Sequence, residues 1–517
     1  MSNNKTQLYT LVSVFFFWGF IAASNGIFIP FCKSYFNLTQ YQSQLIDATF
    51  YGGYFFGSLF LYYFSIIFKT DLLNTVGYKR GIIYGFMISI LGAIAIIPSV
   101  HANSFPLILL SFFILALGFS LQQTAAQPFV VALGEPETGA QRLNLAGGIN
   151  SLGTTIGPVI FSFLLFGKIT ASVSEASLSS ISNLFLMLAG VFAIVALIFA
   201  VSKLPDIKSE AEISNSKNAT VALSIVAIPV FLLLFVNDFL PSLLSNNMIY
   251  ITLITLMTVL FMAFKNGKLE SEKWGAMQYP QLVLGMFAIF TYVGVEVTIQ
   301  SNMGALLKTD NFGSYAENKI APFISMYWGS LMIGRLTGAL SVFGLKNKIK
   351  TIFIFLLPFL VFEFIVWFNT ILGKEMSYLQ WYRVCLPIVS LVIYFTKDKP
   401  AKTLLLFSIF GMFAMITGLL TTGTTAIYAF LSGGLACSVM WPCIFTLAIS
   451  NLGKFTGQAS AFLIMMILGG AVIPPIQGKI ADAYNIHFSY IVTVFCFAYL
   501  MYFSVTVNKF LVHTKSN

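Results

Sequence analysis

The sequence predicts an all-α membrane protein built from many spanning helices. Hydrophobic residues make up 58% of the 517 residues and charged residues only 9%, and the mean hydropathy is +0.87. In soluble globular domains about a quarter of the residues are charged. Apolar stretches of about 20 residues, the length that crosses a bilayer as a helix, also recur along the whole chain.

Sixteen apolar stretches are candidates for spanning helices. They are Leu8–Pro30, Gln42–Phe68, Gly81–Val100, Phe105–Leu133, Asn144–Phe166, Ile181–Val201, Thr220–Phe239, Met248–Phe264, Leu282–Met303, Ala321–Phe343, Thr351–Leu372, Val384–Thr396, Thr403–Leu420, Thr425–Asn451, Ser460–Ala481 and Phe488–Phe510. The shortest, Val384–Thr396, could also be interfacial or re-entrant. The polar segment from Lys203 to Asn218 predicts a boundary between two halves.

The distribution of Lys and Arg predicts the orientation of the chain. With a cytoplasmic N-terminus, the cytoplasmic connections hold twenty Lys and Arg and the opposite side seven, as the positive-inside rule requires. We expect a multi-pass protein of the plasma membrane, the inner membrane of a bacterium, with both termini cytoplasmic. This bias also explains the net charge of +10, so we expect no nucleic-acid partner.

The distribution of Lys and Arg also constrains two pairs of segments, Thr220–Phe264 and Thr351–Thr396. Each pair must cross the membrane an even number of times, because otherwise the loops that follow would lie on the wrong side. Without these pairs, twelve helices remain, six on each side of the central loop. That is the plan of the major facilitator superfamily, whose site lies at the midplane. The predicted fold therefore has a six-helix half at 1–202, a central cytoplasmic loop at 203–219 and a second half at 276–517. Two inserted helical hairpins are predicted, one at 220–275 and one at about 350–397.

Seven stretches carry a more specific resemblance. They are Phe15–Pro30, Gln122–Gly134, Arg142–Pro158, Tyr292–Asn302, Met326–Gly338, Ser438–Ser460 and Gly469–Asp482. Through them the sequence resembles the fucose–galactose–proton symporter family. The resemblance implies two halves that rock about a central sugar, with uptake driven by protonation of carboxylates in the first half.

Three residues depart from the pattern of that family. Gly26 follows Asn25 where the pattern has Asp, Gln123 stands in place of Glu, and Gly147 stands in place of Gln. Neither Gly nor Gln takes up a proton near neutral pH. Binding of a sugar by amides therefore survives the replacement at position 123, whereas the inherited proton chemistry does not.

The stretch Ser111–Leu133 places amides in the middle of a spanning segment. Gln123 and Gln127 are four residues apart and share a helical face, and Gln122 is rotated from them by about 100°. An amide in lipid without a partner costs several kcal/mol, so these groups should face protein or a wet cavity. A solute pathway and amide bonding between helices both meet this requirement.

A pyranose presents hydroxyls around its rim and an apolar face, so its site needs polar groups together with an aromatic platform. Residues of both kinds lie inside the predicted spans. The predicted substrate-binding residues are Trp18, Asn25, Gln123, Gln127, Asn150, Glu296, Gln300, Asn302, Tyr327 and Trp441. We expect a monosaccharide of the glucose/galactose or L-fucose class.

Asp47 and Glu296 are the candidates for coupling to H⁺ or Na⁺, because an ionisable group inside a span is costly and is functional by default. The alternatives are a wetted, shallow position for Asp47 and a buried structural pair for Glu296, with a backbone group or an Arg as its partner. Lys79, Arg80, Arg142 and Arg335 are candidates for a cytoplasmic gate. Of these, Lys79, Arg80 and Arg335 lie in segments that resemble the gate regions of the superfamily.

The sequence disfavours a membrane enzyme, because no cluster of His, carboxylate and Lys marks one membrane face. Five scattered Cys and three scattered His predict neither disulfides nor a metal site. We expect a monomer in the lipid bilayer, with no cofactor. A sugar uniporter and a membrane sugar sensor that moves no solute stay open as alternatives, because the family carboxylates are replaced.

Overall fold

The computed structural model describes residues 2–37, 40–70, 72–166, 178–205, 207, 216–237, 240–269, 271–316 and 319–513. The described chain is a bundle of long helices. The first six are α1 (Ser2–Tyr35), α2 (Gln40–Phe68), α3 (Leu72–His101), α4 (Phe105–Ala132), α5 (Gly139–Phe166) and α6 (Leu178–Val201). We call α1–α6 the first half.

Two helices follow the central loop and pack against each other: α7 (Lys217–Phe231), which continues as a π-helical turn over Leu232–Val236, and α8 (Ser242–Asn266). We call α7–α8 the first hairpin. Helices α9 (Pro280–Leu307) and α10 (Ala321–Gly338) come next. The second hairpin is α11 (Asn347–Ile371) with α12 (Leu386–Thr396), and a 3₁₀ segment over Ser377–Cys385 leads into α12.

The remaining helices are α13 (Pro400–Leu420), α14 (Gly423–Cys437), α15 (Met440–Ile449), α16 (Thr456–Met465), α17 (Gly469–Ala483) and α18 (Ile491–His513). Helices α14 and α15 run as one broken span, and so do α16 and α17. We call α9, α10 and α13–α18 the second half. Several helices of this half start with proline in their first turn, because proline lacks the N–H that is unpaired there. These prolines include Pro280, Pro322 and Pro400.

Each of the sixteen predicted segments overlaps a helix in the part of the chain that the structure describes. Within the described residues, thirteen helical stretches are long and apolar enough to cross a membrane. Helices α1, α5 and α10, of 34, 28 and 18 residues, account for the other three segments. The short segment Val384–Thr396 becomes long enough because the 3₁₀ segment extends it to a span over Ser377–Thr396.

The two halves repeat one packing pattern. In the first half α1 packs on α5, α2 packs on α4, and α3 packs on both α4 and α6. In the second half α9 packs on α17, α10 packs on α14, and α13 packs on both α14 and α18. The four helices of the two hairpins lie outside this repeat. The first hairpin packs on α2, α9 and α17, and the second packs on α10, α13 and α14.

The halves are in contact at one end of the bundle. Helix α5 packs on α10 and α15, and α16 packs on α2 and α4. One hydrogen bond between the halves runs from Ser460 Oγ to the carbonyl oxygen of Thr124, over 2.9 Å. A further hydrogen bond runs from Gln141 Nε2 of the first half to the carbonyl oxygen of Asp398, in the connection between the second hairpin and α13, over 3.0 Å. This end carries the connections 133–138 and 450–455, which the Lys and Arg bias predicts to be cytoplasmic.

Glycine permits a close helix crossing between α3 and α4. A Cβ at Gly118 of α4 would lie 2.5 Å from the carbonyl oxygen of Gly85 and 2.6 Å from the amide nitrogen of Ser89. Both of these atoms belong to the backbone of α3, so they cannot move aside as a side chain could. The close approach of α3 and α4 therefore depends on the missing side chain.

We expect Gly118→Ala to destabilise the protein by about 1–3 kcal/mol, the usual cost of overpacking. The measurement is thermal unfolding of the purified protein in detergent. Gly190→Ala is the matched control, because a Cβ at Gly190 of α6 would meet nothing within 4 Å. We expect it to be neutral or to stabilise by up to about 1 kcal/mol through helix propensity. Equal melting temperatures for both variants would contradict the analysis.

Candidate functional site

An ion pair between Glu296 and Arg335 lies inside the bundle. Helix α9 carries Glu296, α10 carries Arg335, and Arg335 Nη2 lies 2.9 Å from Glu296 Oε1. Tyr292, one turn before Glu296, donates its hydroxyl to the same carboxylate oxygen over 2.8 Å. Both charged side chains are only 12% exposed. This is the Arg partner that the sequence analysis left open for Glu296.

Arg335 also reaches across to the first half. Its Nη1 donates to Ser151 Oγ over 3.0 Å and to the carbonyl oxygen of Gly147 over 3.5 Å. Its Nε donates to the carbonyl oxygen of Ser438 on the second half, over 3.3 Å. The guanidinium therefore joins α5 to α9 and to the turn between α14 and α15.

Gly147 and Gly148 explain how α10 comes close enough to α5 for this contact. A Cβ at Gly147 would lie 3.1 Å from Arg335 Cδ, and a Cβ at Gly148 would lie 2.6 Å from Leu336 Cδ2. Gly147 is the residue that stands in place of the family glutamine. Its missing side chain leaves room for the stem of Arg335. The glycine at this position therefore allows Arg335 to lie where it pairs with Glu296.

A second link between the halves lies beside the ion pair. Trp441 of α15 donates its indole Nε1–H to Gln127 Oε1 of α4 over 3.4 Å. The Trp441 ring lies 6.1 Å from the ring of Tyr292, measured between centroids. Since Tyr292 also bonds Glu296, the structure brings Gln127, Trp441 and Glu296 into one cluster at the junction of the halves.

The other two amides of α4, Gln122 and Gln123, bond different partners, as their difference in helical phase predicts. Gln122 is fully buried, accepts a hydrogen bond from Trp18 Nε1 over 2.8 Å and donates to Ser89 Oγ over 3.0 Å. All of these partners belong to the first half. Gln123 is half-buried and donates to the hydroxyl of Tyr54 over 3.0 Å.

Trp18 does not present an open aromatic face. Its side chain is only 4% exposed, its indole N–H is taken by Gln122, and its ring packs on Phe15 with 4.4 Å between centroids. The structure therefore places Trp18 in the packing of the first half, and Trp441 is the half-buried tryptophan at the junction.

Four more predicted site residues lie on α5, α9 and α10, and only Tyr327 bonds a residue of the cluster directly. Tyr327 is buried and donates its hydroxyl to the carbonyl oxygen of Glu296 over 2.8 Å. Gln300 is half-buried and lies one turn beyond Glu296 on α9. Asn150 bonds the carbonyl oxygen of Phe15 over 3.0 Å. Asn302 turns away toward α17, where its Nδ2 donates to Gln477 Oε1 over 3.0 Å.

Two predicted gate residues cap helices within the first half. Lys79 donates to the carbonyl oxygens of Ala200 and Ser202 at the end of α6, over 3.2 and 2.7 Å. Arg142 donates to carbonyl oxygens at the end of α4, including that of Val130 over 2.9 Å. Cations are favourable there because the last carbonyls of a helix carry partial negative charge.

The segment that the sequence analysis assigns to a basic loop, with Lys79, lies in α3, and α3 is kinked at glycine. Gly77 has a φ of 82°, a conformation that glycine adopts at little cost. Arg80 follows Lys79 in the same helix and is exposed. Of the four predicted gate residues, Arg335 is the one that the structure places between the halves.

Asn25 lies on α1 and Asp47 lies on α2, but their side chains are outside the described part of the structure. The structure adds Tyr54, Ser151 and Tyr292, which the sequence analysis did not select. Tyr292 could have been found, because it precedes Glu296 by four residues and so shares its helical face. Among the described residues, no group of three His, Cys, Asp or Glu side chains could hold a metal ion.

The fold and this junction between two packed halves are those of a class of membrane carrier. The chain belongs to the Major Facilitator Superfamily, whose family model matches residues 10–397.

Curated relatives cover nearly the whole chain. The chain is 29% identical over 507 residues to a glucose/galactose transporter of Brucella abortus biovar 1, covering 98% of this chain and 95% of the relative. It is 22% identical over 510 residues to the L-fucose-proton symporter of Escherichia coli K12, covering 96% and 91%.

Solved structures match the fold over the same length. The transporter FucP in an outward conformation has a TM-score of 0.66 at 22% identity, covering 97% of this chain and 98% of that one. The proton:xylose symporter XylE, bound to 6-bromo-6-deoxy-D-glucose, has a TM-score of 0.57 at 13% identity, covering 97% and 95%.

We expect Glu296→Leu and Arg335→Met each to destabilise the protein strongly, because breaking a buried pair leaves one charge unpaired, at a cost of about 3–5 kcal/mol. The double variant should lose much less than the sum of the two, as thermal unfolding in detergent would measure. The control cycle uses Glu363 and Arg383, whose side chains are 55% and 46% exposed and whose coupling should be at most about 1 kcal/mol. Additive effects at Glu296 and Arg335 would refute the pairing.

Proposed function

We propose that this protein is a secondary active transporter that imports a monosaccharide by alternating access, in symport with H⁺. The observation that carries the proposal is the polar cluster of Glu296, Arg335, Gln127 and Trp441, which joins the two halves inside the bundle. The named relatives transport glucose and galactose or L-fucose, and we place this substrate within the same class of sugars.

The cluster offers the chemistry that a sugar requires. Amides such as Gln123 and Gln127 can donate to and accept from ring hydroxyls, and the half-buried Trp441 can lie against the apolar face of a pyranose. Gln300 and Asn150 are half-buried and add further amides on α9 and α5. A hexose bound between α4, α9 and α15 would contact both halves at once, so its binding would depend on how the halves are arranged.

Glu296 is our candidate for the coupling group. In its charged form the carboxylate pairs with Arg335, which reaches Ser151 in the first half. Protonation would remove the negative charge and weaken the hold on the guanidinium. The bond between the halves would then reorganise, which links proton uptake to their movement.

We favour H⁺ over Na⁺ as the co-substrate. The guanidinium of Arg335 lies 2.9 Å from the Glu296 carboxylate and already balances its charge, so a metal cation there would meet a positive neighbour. A proton on the carboxylate meets no such repulsion. For this reason the proposal does not need a preformed cation site.

We further propose an inner-membrane location, cytoplasmic termini and a monomeric state. On that orientation the described contacts between the halves close the cytoplasmic end. We also propose that the two hairpins are insertions into a plan of twelve helices, because α7, α8, α11 and α12 have no counterparts in the repeated packing pattern. This gives halves at 1–202 and 276–517, separated by a loop at 203–219 and the first insertion at 220–275.

The first test is counterflow in proteoliposomes. We expect purified protein to exchange labelled glucose, galactose or L-fucose against the same unlabelled sugar, and Trp441→Leu to raise KM through loss of the aromatic face. Binding of a sugar without exchange would identify a sensor. Failure to exchange any monosaccharide of a wider panel would refute the carrier assignment.

The second test addresses the coupling group. We expect Glu296→Gln to retain counterflow and to lose accumulation driven by an inward proton gradient, because glutamine cannot titrate. Glu363→Gln is the matched control, since Glu363 is 55% exposed in the second hairpin, and it should accumulate sugar normally. Undiminished pH-driven accumulation in Glu296→Gln would exclude this role. Accumulation driven by Na⁺ alone in the unmodified protein would exclude proton symport.

A further inference from the structure

A small cavity lies at the closed end of the bundle, where the first half meets the second hairpin and α13. Its volume is about 20 Å³, and its lining includes Gln141, Asn144, Asp398, Thr403 and Cys443. A cavity needs about 10–15 Å³ to hold one water molecule. There is thus room for a single small ligand.

Two buried oxygen atoms in this lining have no partner. Gln141 and Asn144 are each 4% exposed, and within the described part of the chain Gln141 Oε1 and Asn144 Oδ1 accept no hydrogen bond. They are three residues apart on α5 and therefore share a face. A buried amide oxygen without a donor is unfavourable, so the ligand that suits this cavity is a donor.

The charges around the cavity are already balanced. Asp398 Oδ2 lies 2.6 Å from Lys350 Nζ, and Asp398 Oδ1 accepts from Ser341 Oγ over 2.7 Å. Both carboxylate oxygens therefore have partners, and the unpaired acceptors are neutral amides. This arrangement favours a neutral molecule over a metal cation, which would lack a compensating negative charge.

We propose that the cavity holds one buried water molecule. This water donates one hydrogen bond to Gln141 Oε1 and one to Asn144 Oδ1, and it completes the joint between the first half and the second hairpin. The number of donors in water matches the number of unpaired oxygens. Gln141 is fixed for this role because its Nε2 donates to the carbonyl oxygen of Asp398 over 3.0 Å.

The connection that presents Asp398 is itself specialised. Lys397 and Asp398 have φ values of 47° and 61°, a conformation that residues other than glycine seldom adopt. This turn brings the carbonyl oxygen of Asp398 to Gln141. If the halves separate at this end, as the proposed function requires, each group of the joint can exchange its partner for bulk water, so a hydrated joint opens more readily than a dry one.

The first test is hydroxyl-radical labelling by X-ray radiolysis of the purified full-length protein, since radicals form from water and react with an adjacent thiol. Cys443 lines the cavity, is unpaired and is 2% exposed, and Cys496 of α18, which is 5% exposed and also unpaired, is the internal reference. We expect Cys443 to oxidise several-fold faster than Cys496 despite its lower exposure. Equal rates would overturn the proposal, and this comparison needs no variant.

The second test removes one acceptor and fills the space. We expect Asn144→Leu to lower the oxidation rate of Cys443 to that of Cys496. Ser408→Ala, which removes a buried hydroxyl of α13 outside the cavity lining, should leave the rate unchanged. An unchanged Cys443 rate in Asn144→Leu would refute the water site. Replacing choline by Na⁺ in the buffer should have no effect, and a Cys443 rate that falls only in Na⁺ would point to a bound cation and overturn the proposal.

Discussion

The guanidinium of Arg335 is the group on which the arrangement of the two halves depends. A cation inside a membrane protein is tolerated only with partners, and Arg335 has them on both halves: Glu296 at 2.9 Å and Ser151 at 3.0 Å. Each partner satisfies a different edge of the planar group. The position of the guanidinium therefore fixes how closely α10 can lie against α5.

This constraint explains the glycines at the junction. An arginine side chain that crosses between two helices needs space on the facing helix, and Gly147 supplies it. In the sequence alone, Gly147 is a departure from the pattern of the family that the chain resembles. In the structure, the missing side chain at Gly147 leaves room for the guanidinium of Arg335, from the second half, to reach Ser151 in the first half.

The packing within a half differs from the packing between halves. Inside the first half, α3 and α4 approach so closely that even one added methyl group at Gly118 would strike backbone atoms. Between the halves, identified contacts include single bonds such as Ser460 to Thr124 and Trp441 to Gln127. Side-chain contacts of this kind can exchange partners when the halves separate, as the proposed function requires.

Several predicted site residues have partners in the structure that the sequence pattern did not indicate. The helical phase correctly separated Gln122 from Gln123 and Gln127, because rotation per residue is a local property. Trp18 was selected as an aromatic platform, yet its N–H is bonded to Gln122 from another helix. Lys79 and Arg142 were selected for a gate between halves, yet they cap helix ends of their own half. In each case the partner lies far along the chain, and no pattern within one helix reveals it.

The sequence by itself determined the spanning segments, because each membrane helix satisfies its backbone hydrogen bonds internally and must be apolar along its own length. It also identified Glu296 as an exceptional residue, because a carboxylate in such a segment is costly. Only the tertiary structure decided what that carboxylate does. Its partner Arg335 is 39 residues away, and the two meet because helix packing, which depends on side chains from several segments together, brings α9, α10 and α5 to one point.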